Sequence, residues 1–165
     1  MKPSSYLPVF IILVAGLISG CAGTITGSKQ QQLNPKNLTQ LEKGRETTDF
    51  WRGKDLTLSY KYHLTGPTLK INGTIALSKH LTNYTVMDHL RLNLYFVDAG
   101  GNIVSRTLIY AAPHRRWIPM LNLSFNRLIT VPPGVEALAF TYDGKVSDGM
   151  NSDGGGISWN FWNAL

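Results

Sequence analysis

From Leu56 onward the apolar positions recur at every second residue. Leu56, Leu58, Tyr60, Tyr62 and Leu64 alternate with Thr57, Ser59, Lys61 and His63. Successive side chains of an extended chain point to opposite sides, so this pattern predicts a strand with one buried and one wet face. Gly66-Pro67 breaks the run, and Leu69, Ile71, Ile75 and Leu77 resume it, with Gly73 expected at a bulge. Leu90, Leu92, Leu94 and Phe96 form a third run, Asp98-Ala99-Gly100-Gly101-Asn102 a hairpin loop, and Ile103 to Tyr110 the return strand. Met120 to Phe125 and Leu128 to Val131 predict one or two more strands around a turn. After Pro132-Pro133-Gly134 comes a strand from Val135 to Tyr142, which Asp143-Gly144 is expected to end in a turn. Ile157-Ser158-Trp159-Asn160-Phe161 alternates once more and predicts a last strand, with Ile157, Trp159 and Phe161 facing the core. About seven or eight short strands with turn signals between them indicate an all-β fold, an antiparallel β-sandwich, with a small closed barrel as the alternative.

The N-terminal pattern is of another kind. Met1-Lys2-Pro3-Ser4-Ser5-Tyr6 is short and basic, and Leu7 to Leu17 is an apolar stretch too short to span a bilayer. Ile18-Ser19-Gly20-Cys21 closes it, giving the three-part layout of an export signal over residues 1–20. Residues 21–49 then run through Gly, Thr, Ser, Gln, Asn and Lys with no sustained period, including Gln30-Gln31-Gln32 and Asn34-Pro35. They read as a flexible tether reaching on the order of 30 Å as a coil. At most a helical turn or two is expected between Thr39 and Arg45. The sandwich domain is accordingly placed at residues 50–165.

The tetrad Ile18-Ser19-Gly20-Cys21 resembles the lipobox of bacterial lipoproteins: an aliphatic residue, a small residue, Gly or Ala, then Cys. The resemblance covers residues 1–21 and implies that Cys21 is acylated, palmitate-like, and becomes the first residue of the mature chain. The composition agrees, since Cys21 is the one cysteine among 165 residues and no intramolecular disulfide can claim it. Two or more acyl chains give stable anchorage where one gives only marginal binding. Ala22 follows the cysteine, where an Asp would imply retention at the inner membrane in enterobacterial relatives. The resemblance therefore implies attachment to the outer membrane, on its periplasmic or surface face, with a Gram-positive surface lipoprotein as the alternative.

A second resemblance lies in the sandwich. Asn72-Gly73-Thr74-Ile75, then Leu92-Asn93-Leu94-Tyr95-Phe96-Val97-Asp98, Gly101 and Ile103-Val104 are similar to the FxLYD-type module of bacterial envelope proteins. That module implies an immunoglobulin-like architecture and brings no catalytic residues. Phe96-Val97 separates Tyr95 from Asp98 here, so the motif is displaced, and the Cys–Trp–Cys pattern of true immunoglobulin domains is absent.

Charge and chemistry narrow the functional classes. Sixteen Lys and Arg against ten Asp and Glu give a formal charge of +6, a soft attraction for anionic surfaces. The basic residues are scattered, with Arg115-Arg116 the one adjacent pair, whereas nucleic-acid proteins gather theirs into a face or stripe. No nucleic-acid partner is expected. His63, His80, His89 and His114 show no metal-ligand spacing, no Gly-x-Ser-x-Gly elbow occurs, and no cofactor or enzymatic activity is expected. Asp148, Asn151 and Asp153 resemble half of a calcium loop but supply too few oxygens for a 6–8-coordinate ion. Trp51, Trp117, Trp159 and Trp162 are the residues from which a glycan platform would be built.

His114-Arg115-Arg116-Trp117, between Pro113 and Pro119, combines a basic pair with an aromatic on a proline-stiffened loop and is the expected contact loop. The expected function is a lipid-anchored, non-enzymatic envelope protein, a binding or assembly module. Its expected partners are the membrane, through the lipid on Cys21, and an envelope protein or anionic glycan. The alternatives are a glycan- or calcium-binding adhesin-like domain and, more distantly, an envelope hydrolase.

Overall fold

Alternation at Leu56–Thr65 translates directly into burial: Leu56, Leu58, Tyr60, Tyr62 and Leu64 are buried, and the residues between them reach solvent to varying degree. The computed structural model describes residues 38–148 and 156–165. Its strands are β1 (Thr39–Gln40), β2 (Glu46–Arg52), β3 (Leu56–Thr65), β4 (Thr68–Leu77), β5 (Val86–Asp98), β6 (Ile103–Ala111), β7 (Arg116–Trp117), β8 (Ser124–Thr130), β9 (Val135–Ser147) and β10 (Ser158–Asn163). A four-residue helix, α1 (Lys79–Thr82), and a 3₁₀ turn at Ile118–Met120 complete the described elements.

The strands form two antiparallel sheets packed face to face, an all-β sandwich. One sheet runs β2-β3-β4-β8. In the other, β9 and β5 pair along most of their length, β6 and β7 take the far edge of β5, and β1 and β10 take the far edge of β9. The core lies between the sheets. Leu58, Tyr62, Leu69 and Ile71 from one face meet Leu90, Leu92, Leu94, Phe96, Phe140 and Tyr142 from the other. Burying each such side chain stabilises the fold by roughly 1.5–3 kcal/mol, and the sum offsets the ordering of the chain. A smaller apolar cluster, Val97, Ala137 and Ala139, is covered by Leu38, Tyr95, Ile103 and Leu165.

Ten strands replace the expected seven or eight because two are two-residue pairs and because the fold begins before residue 50. Thr39–Gln40 pairs with β9 and Glu46–Arg52 with β3, so neither a coil nor a helical turn occupies this part of the expected tether. Tyrosine hydroxyls fasten it: Tyr62 Oη bonds the Gln40 carbonyl at 3.2 Å and receives the Glu42 amide at 3.0 Å, while Tyr60 Oη lies 3.1 Å from Thr39 Oγ1. Burial, chiefly, pushes the Tyr60 phenol well above its ordinary range, keeping it neutral in this role.

Two glycines behave differently from expectation. Asp143-Gly144 makes no turn; β9 runs through both residues to Ser147. Gly73 makes no bulge and stays in register between Tyr60 and Phe125, where a Cβ would meet the Ser59 carbonyl at 2.6 Å. Both are glycines of close approach rather than of chain reversal. Toward the C-terminus, Ser124–Thr130 is one strand preceded by the 3₁₀ turn, not two strands around a turn.

Candidate ligand-binding cleft

Gly53 ends β2 with no room for a side chain, since a Cβ there would stand 2.7 Å from the Tyr142 ring. Its amide bonds the Leu56 carbonyl at 2.9 Å and closes a tight turn over that ring. The turn delivers Asp55 into the protein, where it is 3% exposed, the one buried charged residue among those described. Both carboxylate oxygens are occupied. Tyr142 Oη donates to Oδ2 at 2.7 Å, and His80 Nε2 lies 2.9 Å from Oδ1. The Asp55 amide donates back to Tyr142 Oη at 3.1 Å. A buried carboxylate is costly unless its acceptor sites are filled, and this arrangement fills them. The Tyr142 phenol is pushed up to about 12, first by burial and then by its bond to Asp55.

His80 sits on α1, which the turn also positions: the Ser78 amide bonds the Asp55 carbonyl at 2.8 Å and Ser78 Oγ the Lys54 carbonyl at 3.2 Å. The imidazole is thereby fixed on the inside through Nε2 while nearly half of the side chain faces solvent. It opens onto a cleft of about 620 Å³ walled by Lys54, Asn83, Tyr84 and Asp148 with Ile157 and Trp159. A second groove of about 540 Å³ runs along Ser158–Trp162 of β10 and shares Lys54 and Trp159 with the first. Tyr84 is partly buried against the core, whereas Trp159 is 47% and Ile157 67% exposed.

That exposure corrects the expected core face of the last strand. Phe161 alone is buried, at 2%, packed on Tyr142. Ile157 precedes the strand proper, Trp159 is left half-exposed, and both line the cleft instead. Trp162 on the opposite face is 67% exposed, and Trp51 packs on Phe140 and Tyr142.

The contact loop is held on the other side of β5. A register shift leaves Asp88 as an extra residue in β5, and its carbonyl lies 3.0 Å from His114 Nδ1 and accepts the Arg115 amide at 3.2 Å. Arg115 adopts φ 49° and its Nε lies 3.7 Å from the Asp88 carboxylate. Arg116 and Trp117 form β7 against Val86 and Met87, both side chains exposed. The loop therefore does not join His80 and Trp159.

Of the calcium-loop residues, Asp148 lines the cleft, while Asn151 and Asp153 lie outside the described residues, as does Cys21. Among the described residues no three His, Cys, Asp or Glu side chains gather as a metal site, and no helix is long and apolar enough to cross a membrane. Sequence reasoning missed the Asp55–His80–Tyr142 network, whose members are separated by 25 and 87 residues.

Fold and site together define a β-sandwich with an aromatic-walled cleft at one end of its β9 edge. No family model, curated protein or solved structure matches the chain.

Proposed function

We propose that the chain is a lipid-anchored envelope protein whose sandwich is a binding or assembly module rather than an enzyme. The observation that carries the module reading is the open cleft, where Trp159 and Ile157 present apolar surface beside polar groups of both signs. Such a wall holds a ligand by contact area and a few oriented hydrogen bonds. Anchorage is supported by the Ile18-Ser19-Gly20-Cys21 tetrad and by the absence of any other thiol from the sequence. Outer-membrane attachment follows from Ala22 in the same reading.

The test is membrane fractionation of wild type and Cys21→Ser, with mass spectrometry of the mature N-terminus. Wild type is expected in the membrane with an acyl mass on Cys21, and the variant in the soluble fraction. A variant that still fractionates with the membrane, together with a wild type lacking acyl mass, overturns the anchor.

A further inference from the structure

We propose that the Trp159 cleft is a saccharide-binding site, an inference that rests on the module reading and names its ligand class. The lining chemistry is the first argument. A sugar hydroxyl both donates and accepts, and so does Asn83; Lys54 supplies donors, Asp148 acceptors, and His80 the one ring nitrogen that Asp55 leaves free. A phosphate or a metal ion favours a lining of one sign, and this lining mixes them.

The second argument is the indole. Trp159 holds 47% of its surface open at the mouth of the cleft although its neighbour two residues on, Phe161, is fully packed. An exposed π-face is electronegative and meets the C–H face of a pyranose ring, which pairs contact area with weak electrostatics. The third is preorganisation. His80 is fixed by buried Asp55, itself held by Tyr142, so its solvent-facing nitrogen is aimed before any ligand arrives. The two grooves share Lys54 and Trp159, so the indole that walls the first also borders the groove along β10.

The experiment is isothermal titration calorimetry of the full chain in a detergent without a sugar head group. The probes are tetrasaccharides of N-acetylglucosamine, glucose and galacturonic acid, and a short peptide of alternating valine and threonine as the probe for strand addition to β10. At least one saccharide is expected to bind. Trp159→Ala is expected to weaken it by roughly tenfold, the scale of one lost aromatic contact. Lys54→Ala and Asn83→Ala weaken it several-fold, and Leu128→Ala, exposed on β8 and outside both clefts, leaves it unchanged. If Trp159→Ala loses its β-sheet circular dichroism, Trp159→Phe and the Asn83 variant carry the test. Absence of binding by all three saccharides, binding of the peptide alone, or wild-type affinity in the cleft variants overturns the inference. Acyl mass on Cys21 is measured on the same preparation, so an acylated chain that ignores saccharides defeats this inference and leaves the anchor standing.

Discussion

A Cβ on Gly144 would stand 2.2 Å from Cζ of Phe161, so the ring of the last strand occupies the place where β9 lacks a side chain. The two residues are directly paired across β9 and β10, and Phe161 is the one residue of β10 that is buried. The strand that walls the cleft is thus fastened to the sandwich by its ladder to β9 and by one buried aromatic seated on a glycine.

Gly144→Ala is expected to destabilise the fold by about 1–3 kcal/mol, because the methyl forces the ring out of a filled core. Phe161→Ala is expected to cost about 3–5 kcal/mol. The two are coupled: in the Phe161→Ala background the added methyl has room, and the penalty of Gly144→Ala shrinks or reverses. Urea unfolding of the four members of this cycle measures the coupling. Additive penalties would show that the ring and the glycine do not depend on one another.

Arg115 is the one described non-glycine residue with positive φ, at 49°. The left-handed region costs an L-residue roughly 1–2 kcal/mol, and glycine removes most of that. Arg115→Gly loses only a partly exposed ion pair with Asp88 and is expected to melt within a few degrees of wild type, whereas Arg115→Val is expected to be less stable by about 1–2 kcal/mol. Arg115→Gly with Arg116→Ala then tests the contact loop without unfolding it. Retention on anionic vesicles is expected to fall in the double variant and to fade with salt in wild type. A Val variant as stable as wild type would show that the backbone does not hold this conformation.

What the sequence made legible was set by how local each signal is. The strand at Leu56–Thr65 was readable because its buried positions alternate, and Leu90 to Phe96 likewise. The strand at Glu46–Arg52 was not, because Thr47, Asp49 and Trp51 stand where a hydrophobic period would and its pairing with β3 is helped by a single side-chain bond, Tyr60 Oη to Asp49. Asp143-Gly144 carries the letters of a turn, but its glycine answers to a ring seventeen residues on. His80 reads as an ordinary polar residue until the fold sets Asp55 behind it. Trp159 has the right spacing for the core and the wrong place along the strand.

Asp98 closes the β5–β6 hairpin by accepting the Asn102 and Gly100 amides, each at 2.9 Å, and the Asn102 side-chain amide. Those bonds, the Asn102 backbone foremost, hold its carboxyl below the usual carboxylate range. A lowered folded-state pKa gives stability that is present above the unfolded value, near 3.8, and lost as pH falls through the folded one. Carbon-detected NMR titration is expected to place the Asp98 midpoint below that of an unfolded peptide. Asp98→Ala is expected to lower the melting temperature at neutral pH and to flatten its fall in acid. A midpoint at or above the peptide value would contradict the hydrogen-bonded turn.

The Tyr142–Asp55 contact sets the opposite limit of the pH range. Tyr142 Oη donates to buried Asp55 while receiving its amide, and the donated bond needs the phenol in its neutral form. Burial and then the bond to Asp55 push its pKa from 10 up to about 12, so the contribution is fully present below pH 10. Between these two values the unfolded chain gives up the proton and the folded chain keeps it. The unfolded state then binds fewer protons, and stability falls as pH rises through that window. Tyr60, buried and raised in the same direction, adds to the fall. Tyr142→Phe keeps the ring packed on Phe161 and Trp51 but leaves one oxygen and the amide of Asp55 without their partner. It is expected to cost about 1–3 kcal/mol at neutral pH and to shallow the alkaline slope. Urea denaturation from pH 8 to pH 12 on both proteins measures the two effects together. Equal slopes in wild type and variant would show that Tyr142 ionises in the folded protein as it does in the unfolded chain, and the network behind His80 would then need another anchor.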